Sequence, residues 1–326
     1  MRDFLNKYNT VIFDMDGVIT SEEKYWDAAA LTVWEYLRFC RDESISASEC
    51  MANVKDIRKT VFCEDRLIKV LKNKGLNSNW DLGYVTVLIS WILKTEDYGK
   101  ILDYAKTLPD NIMEGYEFLA RKCAEVTGYD YKWLCRNELM WKTMQGIFQE
   151  WYLGDKAKGK SGLMFNEEPI VEKTELCDLL KNMSETHRLC TGTGRPWLEM
   201  KTPLEEWGVM ECFSADGLCN YDHVKEAEEK LGKSLVKPHP YMFLKALYGT
   251  DYDDKKIIEG DYDRSEIKKT LVIGDAGSDI LAAQAMGADF CAVLTGVAGE
   301  SGRGYFEEMK AENILNSVLD LNYGEN

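Results

Sequence analysis

The sequence predicts an α/β protein in which a parallel β-sheet core is interrupted by a large all-helical domain. The apolar run at 10–15 predicts a short buried strand, and residues from about 21 to 162 carry apolar side chains at helical spacing. Strands then alternate with helices, which is typical of a parallel sheet covered on both faces. Because 326 residues exceed a typical domain, we expect a core of residues 1–20 and 165–326 and an inserted helical domain of residues 21–164.

The helical domain is predicted from five segments with apolar and aromatic residues on one face. They are 23–39, 64–74, 80–94, 114–126 and 131–151. The glycine- and lysine-rich segment 154–162 predicts an exposed linker that ends this domain.

After the linker, strands and helices are predicted in alternation. The strands are 188–193, 270–274 and 289–294, and the helices are 171–183, 196–207, 241–248, 278–286 and 306–315. The charged segments 221–233 and 251–263 predict solvated excursions from the core.

Composition and charge restrict the possible partners. The chain is 45% hydrophobic and 29% charged, which is typical of a globular protein with a sizeable core. Its formal charge of −16 argues against nucleic acid and anionic membranes as partners. It does not exclude a small phosphorylated metabolite, because a local cation can reverse the field inside one pocket.

Several features predict a cytoplasmic location. The N-terminus shows no apolar signal region, and the most apolar stretch, 84–93, is too short to span a bilayer. The ten cysteines are scattered without a Cys-x-x-Cys pair, so we expect reduced thiols rather than disulfides or zinc ligands.

The first predicted strand ends in two carboxylates, Asp14 and Asp16, followed directly by Gly17. Alternate side chains of a strand point the same way, so the two carboxylates are expected to converge on one volume. That arrangement suits a divalent cation, or a division of labour between a nucleophile and an acid/base. A strand followed by an Asp-Gly turn is the simpler interpretation.

Three further strand ends carry polar residues of the same kind. They are Cys190-Thr191-Gly192-Thr193-Gly194-Arg195-Pro196, Val236-Lys237-Pro238-His239-Pro240 and Gly274-Asp275-Ala276-Gly277-Ser278-Asp279. Functional residues of open α/β sheets gather at the carboxyl ends of the strands, and a hydroxyl followed by glycine at a helix entrance can bind an anion.

Each of these residues also has a simpler explanation when taken alone. Thr193 and Ser278 could cap helices, and Asp279 could be an acid favoured by the helix dipole. Lys237 could be a surface lysine, and His239 is better explained as a turn or capping residue than as a ligand. Their joint occurrence at the ends of strands of one sheet favours the functional interpretation.

Together and in this order, the four segments resemble the motifs of the haloacid-dehalogenase-like (HAD) hydrolase superfamily. The matching residues are Asp14-x-Asp16-Gly17, Thr193-Gly194-Arg195-Pro196, Lys237-Pro238-His239-Pro240 and Gly274-Asp275-x-x-x-Asp279. The resemblance implies a Rossmann-like core. The insertion between the first two motifs resembles the helical C1-type cap of the phosphoglycolate phosphatase and β-phosphoglucomutase-like branch.

The second motif leaves two threonines open, because Thr191 and Thr193 both precede a glycine. Thr193 is preferred, since it stands three residues before Pro196, as the threonine commonly does in that family.

The resemblance also implies roles for the first pair of carboxylates and for a metal ion. Asp14 would be the nucleophile that forms an aspartyl-phosphate, and Asp16 would protonate the leaving oxygen and then activate water. Mg²⁺ would be bound by Asp14, the backbone carbonyl of Asp16 and Asp275.

Phosphate binding and lysine orientation are implied in the same way. Asp14, Thr193, Gly194 and Lys237 would contact the phosphoryl group, and Asp279 would orient Lys237 or a metal-bound water. The predicted activity is hydrolysis of a small phosphorylated metabolite, as a phosphoric monoester hydrolase. A phosphomutase, an enzyme acting on nucleotides and a non-catalytic binding protein remain alternatives.

Overall fold

The computed structural model describes residues 2–76 and 78–322. It divides the chain into two compact units. The first, here called the sheet unit, comprises Met1–Ser21 and Glu167–Asn326. The second, here called the helical unit, comprises Glu22–Asn166.

The helical unit contains nine α-helices within its described residues. They are α1 (Glu23–Phe39), α2 (Ala47–Ala52), α3 (Val54–Val61), α4 (Arg66–Asn73), α5 (Asn79–Leu93), α6 (Tyr98–Lys106), α7 (Ile112–Thr127), α8 (Tyr131–Leu134) and α9 (Leu139–Leu153). Helix α5 is apolar around most of its circumference, which is typical of a helix surrounded by others. It packs against α1, α6, α7 and α9 and is buried continuously from Asp81 to Ser90.

The sheet unit is built on six strands. They are β1 (Thr10–Phe13), β2 (Arg188–Gly192), β3 (Phe213–Cys219), β4 (Thr270–Gly274), β5 (Asp289–Val293) and β6 (Asn313–Leu315). All neighbouring pairs are parallel, and the strand order is β3-β2-β1-β4-β5-β6. The predicted parallel-sheet core is confirmed.

Seven helices complete the described part of the sheet unit. They are α10 (Lys173–Ser184), α11 (Trp197–Glu206), α12 (Tyr221–Leu231), α13 (Tyr241–Tyr248), α14 (Asp254–Glu259), α15 (Gly277–Met286) and α16 (Arg303–Glu308). Short 3-10 turns cover Asp3–Lys7, Met210–Cys212, Ile267–Lys269, Gly299–Gly302 and Val318–Leu321.

The two faces of the sheet are covered by different helices. In β1, Val11 and Phe13 pack into a cluster with residues of α10 and α11. Ile12 between them packs into a second cluster with residues of α12, α13 and α15. This alternation follows from the two-residue period of a strand, and full burial of each such side chain contributes about 1.5–3 kcal/mol. Strand β1 is therefore anchored from both faces.

The chain adds strands to the sheet in one direction from β1 and later in the opposite direction, although all strands are parallel. From β1 the chain adds β2 and β3 on one side, and it later adds β4, β5 and β6 on the other. The order therefore switches between β1 and β4, whose carboxyl ends lie at the same edge of the sheet. This is the place where α/β sheets bind ligands.

The predicted terminal helix at 306–315 is wrong. Helix α16 ends at Glu308, Lys310 has a left-handed φ of 59°, and the following residues form β6, which pairs with β5. A three-residue edge strand is too short to show a two-residue apolar period in the sequence.

The single helix predicted at 131–151 is also wrong, because the structure has α8 and α9 in its place. Asn137, with a φ of 67°, lies between them and interrupts the helical backbone. Asparagine tolerates this left-handed conformation better than most residues, so the break has a local cause that apolar spacing does not reveal.

The segment 154–162, predicted as an exposed linker, is exposed at residues 156–159 and 161 but not throughout. Lys160 is buried, and its Nζ lies 2.7 Å from a carboxylate oxygen of Glu35 and 2.8 Å from one of Glu150. Two carboxylates offset the cost of burying the lysine charge.

Two elements of the sheet unit, β3 and α12, were not predicted from the sequence patterns. Strand β3 has polar and exposed residues in its middle, so its apolar run is broken. Most of the predicted excursion at 221–233 is helix α12, whose Val224 and Ala227 are buried on one side. The many charges of α12 lie on the other side, and they obscured the narrow apolar stripe.

A buried carboxylate, Asp81, organises polar groups inside the helical unit. It accepts hydrogen bonds from the Tyr116 hydroxyl at 2.8 Å, the Trp141 indole at 2.7 Å and the Arg136 guanidinium at 3.1 Å. These donors come from α7, α9 and the turn before α9. Asp81 therefore links three parts of the unit to α5.

No helix in residues 2–76 or 78–322 has the length and apolar character required to cross a bilayer.

We predict that Asp81→Ala lowers the free energy of unfolding by about 3 kcal/mol, because it leaves Arg136 and two other buried donors without their acceptor. Urea denaturation measures the loss. The control is Asp103→Ala, which removes an exposed ion pair with Lys106 and should change stability by less than about 1 kcal/mol. Equal effects of the two substitutions would contradict a structural role for the buried cluster.

Candidate active site

Two carboxylates lie at the ends of neighbouring strands, β1 and β4. The strands are paired in register, with Phe13 opposite Ile273, and the backbone N–H of Asp14 donates to the Ile273 carbonyl at 2.9 Å. Asp14 follows β1 and Asp275 follows β4, and by this register Asp14 lies opposite Gly274, one residue before Asp275. Carboxylate oxygens of Asp14, Asp275 and Asp279 lie within 4.8 Å of one another.

Lys237 connects two of these carboxylates. Its Nζ lies 3.0 Å from Oδ1 of Asp14 and 2.9 Å from Oδ1 of Asp279. Burial lowers the pKa of Lys237, but the Asp14 and Asp279 carboxylates raise it above its ordinary value, so the ammonium group stays charged. The lysine is buried and holds Asp14 from one side.

Asp279 serves two purposes at the start of α15. Its Oδ2 accepts a hydrogen bond from the backbone N–H of Ala276 at 3.2 Å, which caps the helix, and its other oxygen faces Lys237. The capping explanation and the functional explanation of this residue are therefore compatible. Asp279 is fully buried.

Asp275 lies in a cradle formed by two glycines. A Cβ atom on Gly296 would lie 1.7 Å from Oδ2 of Asp275, and one on Gly17 would lie 2.4 Å from the same oxygen. The Thr295 hydroxyl donates to the Gly17 carbonyl at 2.5 Å and joins the loops after β5 and β1. Sequence analysis did not single out Gly296. Its position two residues after the predicted buried strand at 289–294 was the available signal.

The two candidate threonines occupy different environments. The Thr191 hydroxyl lies within β2 and donates to the sulfur of Met200 at 3.3 Å, inside the core. Thr193 follows β2, and its Oγ1 accepts a hydrogen bond from the backbone N–H of Arg195 at 3.1 Å. Its hydroxyl proton is not used in that bond, which leaves Thr193 able to donate at the sheet edge. Gly194, beside it, is exposed.

Arg195 is a site residue that sequence analysis quoted only as part of a motif. The side chain is buried, and its Nε and Nη2 donate to Oδ1 of Asp16 at 2.9 and 2.6 Å. Asp16 itself is about a quarter exposed, at 24% of its side chain. An arginine directly before a helix-opening proline was the available signal, but its partner lies 179 residues away in the chain.

His239 has the capping role predicted for it. Its Nδ1 accepts a hydrogen bond from the backbone N–H of Tyr241 at 3.1 Å, at the start of α13.

The carboxylates at this edge suit a divalent cation. Asp14, Asp275 and Asp279 with Lys237 leave an excess of negative charge in a volume 4.8 Å across. Burial, together with the Asp279 and Asp16 carboxylates, raises the pKa of Asp14 to about 7 against the opposing effect of Lys237. Closely spaced carboxylate oxygens are the donor set that Mg²⁺ prefers.

Comparison with known proteins gives a partial family match and several solved structures of the same fold. Residues 235–321, which include Lys237, Asp275 and Asp279, match the family model described as HAD-hydrolase-like. Among solved structures, a structural-genomics target determined by X-ray crystallography is 26% identical, with a TM-score of 0.79 over 96% of this chain and 97% of that chain. No curated protein matches the chain.

Two named structures share the fold at lower identity. A hydrolase of the haloacid dehalogenase-like family from Streptococcus pneumoniae is 11% identical, with a TM-score of 0.50 over 97% of this chain and 98% of that chain. Phosphatase Tt82 from Thermococcus thioreducens is 17% identical, with a TM-score of 0.50 over 86% of this chain and 90% of that chain. The predicted resemblance and fold class are confirmed.

We predict that Gly296→Ala weakens Mg²⁺ binding by at least about 10-fold, because the added methyl group displaces the Asp275 carboxylate. Isothermal titration calorimetry with MgCl₂ on the full chain measures this. The control is Gly304→Ala in α16, where a Cβ atom meets nothing within 4 Å. Unchanged Mg²⁺ affinity in folded Gly296→Ala would contradict a metal role for Asp275.

Proposed function

We propose that this chain, whose residues 235–321 match the HAD-hydrolase-like family model, is a Mg²⁺-dependent phosphatase of small phosphorylated metabolites. The observation that best supports this is the position of Asp14, which contacts Lys237 at 3.0 Å and lies beside Asp275 at the sheet edge. A buried carboxylate held between a cation and a candidate metal site is suited to attack phosphorus, which is itself surrounded by negative oxygens.

The proposed reaction has two steps. In the first, a carboxylate oxygen of Asp14 bonds to phosphorus while the bond from phosphorus to the leaving oxygen breaks, and Asp16 gives that oxygen a proton. In the second, Asp16 takes a proton from water, and this water attacks the phosphorus of the aspartyl-phosphate. The bond from phosphorus to the Asp14 oxygen breaks, inorganic phosphate leaves, and Asp14 is again a free carboxylate while Asp16 is again protonated.

The remaining residues bind the phosphoryl group and orient the nucleophile. Lys237 would contact a phosphoryl oxygen while its contact with Asp14 keeps that carboxylate in place. Thr193 and the backbone N–H of Gly194 would donate hydrogen bonds to the other oxygens. Asp279 would orient Lys237 through their contact at 2.9 Å.

Mg²⁺ would be held by carboxylate oxygens of Asp14 and Asp275 and by the backbone carbonyl of Asp16. When bound, it would neutralise the charge of the phosphoryl oxygens. The helical unit is proposed to be the cap that determines which metabolite is accepted, and the enzyme is proposed to work in the cytoplasm.

We predict that wild-type protein with Mg²⁺ releases phosphate from at least one member of a panel of phosphorylated metabolites. Asp14→Asn should lower kcat by at least about 10³-fold, because the amide is not a nucleophile. A phosphate-release assay measures both. The control is Asp251→Asn, an exposed acid of the sheet unit, which should leave kcat unchanged.

The same panel separates the alternatives. Isomerisation of a sugar monophosphate with little free phosphate would replace the phosphatase by a phosphomutase. If the wild type releases no phosphate and Asp14→Asn behaves identically, the chain is a non-catalytic binding protein.

We also predict that removal of divalent cations by a chelator abolishes phosphate release and that added MgCl₂ restores it, because the carboxylate cluster needs a cation to accept a phosphate dianion. Asp275→Asn should raise the Mg²⁺ concentration for half-maximal activity by at least about 10-fold. Full activity after exhaustive dialysis against the chelator would rule out the metal-dependent mechanism.

A further inference from the structure

The hydrogen bonds of the Asp16 side chain are concentrated on one oxygen. Oδ1 accepts from Nε and Nη2 of Arg195 at 2.9 and 2.6 Å and from the Thr20 hydroxyl at 3.2 Å. With three donors on one oxygen, the rotation of this carboxylate is restricted. Oδ2 is the oxygen left to exchange a proton with another group.

Arg195 is itself immobilised by other parts of the sheet unit. Its Nη1 donates to the Glu199 carbonyl at 3.2 Å and lies 3.5 Å from Oε1 of Glu167, and its Nη2 donates to the Ser21 carbonyl at 3.4 Å. Arg195 has 1% of its surface exposed. Because the guanidinium is planar and its nitrogens have several acceptors, it presents a fixed pair of donors to Asp16.

We infer that Arg195 is a positioning residue that orients Asp16 for both proton transfers of the proposed phosphatase reaction. By occupying Oδ1 it leaves Oδ2 to protonate the leaving oxygen and then to accept the proton of water. Thr20 assists from the same side, and Glu167 keeps Arg195 in place. The inference rests on the proposed function, and it adds a determinant of the orientation of the acid/base.

An arginine at the start of β2 provides a matched comparison for Arg195, which follows this strand. Arg188, at the amino end of the strand, contacts Oδ1 of Asp216 at 2.9 Å and donates to the carbonyls of Ala246 and Leu247. This pair also joins an arginine to an aspartate across the sheet unit, but at the opposite end of β2 from Thr193. Its loss should affect stability without affecting proton transfer.

The experiment compares two kinds of leaving group. p-Nitrophenolate leaves without protonation, whereas the alkoxide of a metabolite ester needs the proton from Asp16. The variants are Arg195→Met, Arg195→Lys and Thr20→Val, with Arg188→Met as control. The full chain is assayed with Mg²⁺ on p-nitrophenyl phosphate and on the best metabolite ester of the panel.

For Arg195→Met we expect kcat on the metabolite ester to fall by about 10²-fold. On p-nitrophenyl phosphate, stopped-flow absorbance should show a rapid burst of about one nitrophenolate per site, followed by slow turnover, since attack by Asp14 persists and water activation is impaired. Arg195→Lys and Thr20→Val should show the same pattern with smaller losses. Arg188→Met should show neither a burst nor a leaving-group preference.

Circular dichroism and thermal melting establish which variants are folded. If folded Arg195→Met loses activity equally on both esters and shows no burst, Arg195 supports the fold only and the inference is overturned. If Arg195→Met does not fold, Thr20→Val and Glu167→Gln decide the question by the same two readouts. Asp14→Asn in the same assay tests the proposed function separately, because retained activity there would overturn the nucleophile whatever the Arg195 variants do.

Discussion

The contact on which the site depends is that of Lys237 with the carboxylates of Asp14 and Asp279, at 3.0 and 2.9 Å. A carboxylate removed from water without a partner costs several kcal/mol, and so does an ammonium group. Each group therefore makes burial of the other possible. Burial alone lowers the pKa of Lys237, whereas the two carboxylates raise it, so the charge persists where it is needed. Without this cation, the ends of β1 and β4 would place like charges side by side in a poorly solvated edge.

The geometry of the site follows from the backbone of the sheet rather than from side-chain flexibility. Strands β1 and β4 are parallel neighbours in register, so Asp14 after β1 lies opposite Gly274, one residue before Asp275. The absence of a side chain at Gly17 and Gly296 then allows the Asp275 carboxylate to lie against two loop backbones. Groups held on rigid elements in this way keep the distances between their oxygen atoms that a functional site requires.

Local sequence patterns did not reveal the burial of two charged residues, Lys160 and Arg195, whose partners lie far away in the chain. Lys160 lies in a segment that spacing and composition predict to be exposed, yet it is buried by contacts with Glu150 and with Glu35, 125 residues away. Arg195 is also buried, and its guanidinium donates hydrogen bonds to Asp16, 179 residues away. A sequence pattern records which residues recur on one face of a helix or strand, and it contains no information about a counter-charge supplied by a remote segment. Pairing with a distant segment also explains why the residues of β6 were predicted as helix. An edge strand of three residues is defined by its pairing with β5, which a local pattern does not record.

The sequence by itself determined the parallel sheet, the large helical insertion and the order of the four polar strand ends, because these depend on local apolar period and on turn residues. Tertiary structure decided which of those polar groups meet. It directs the Thr191 hydroxyl to Met200 in the core and leaves Thr193 at the sheet edge. It also brings Asp275 into the glycine cradle and places Arg195 on one oxygen of Asp16. The physical reason is that contacts between ionised groups depend on distances of a few ångströms across strands, which only the packed sheet establishes.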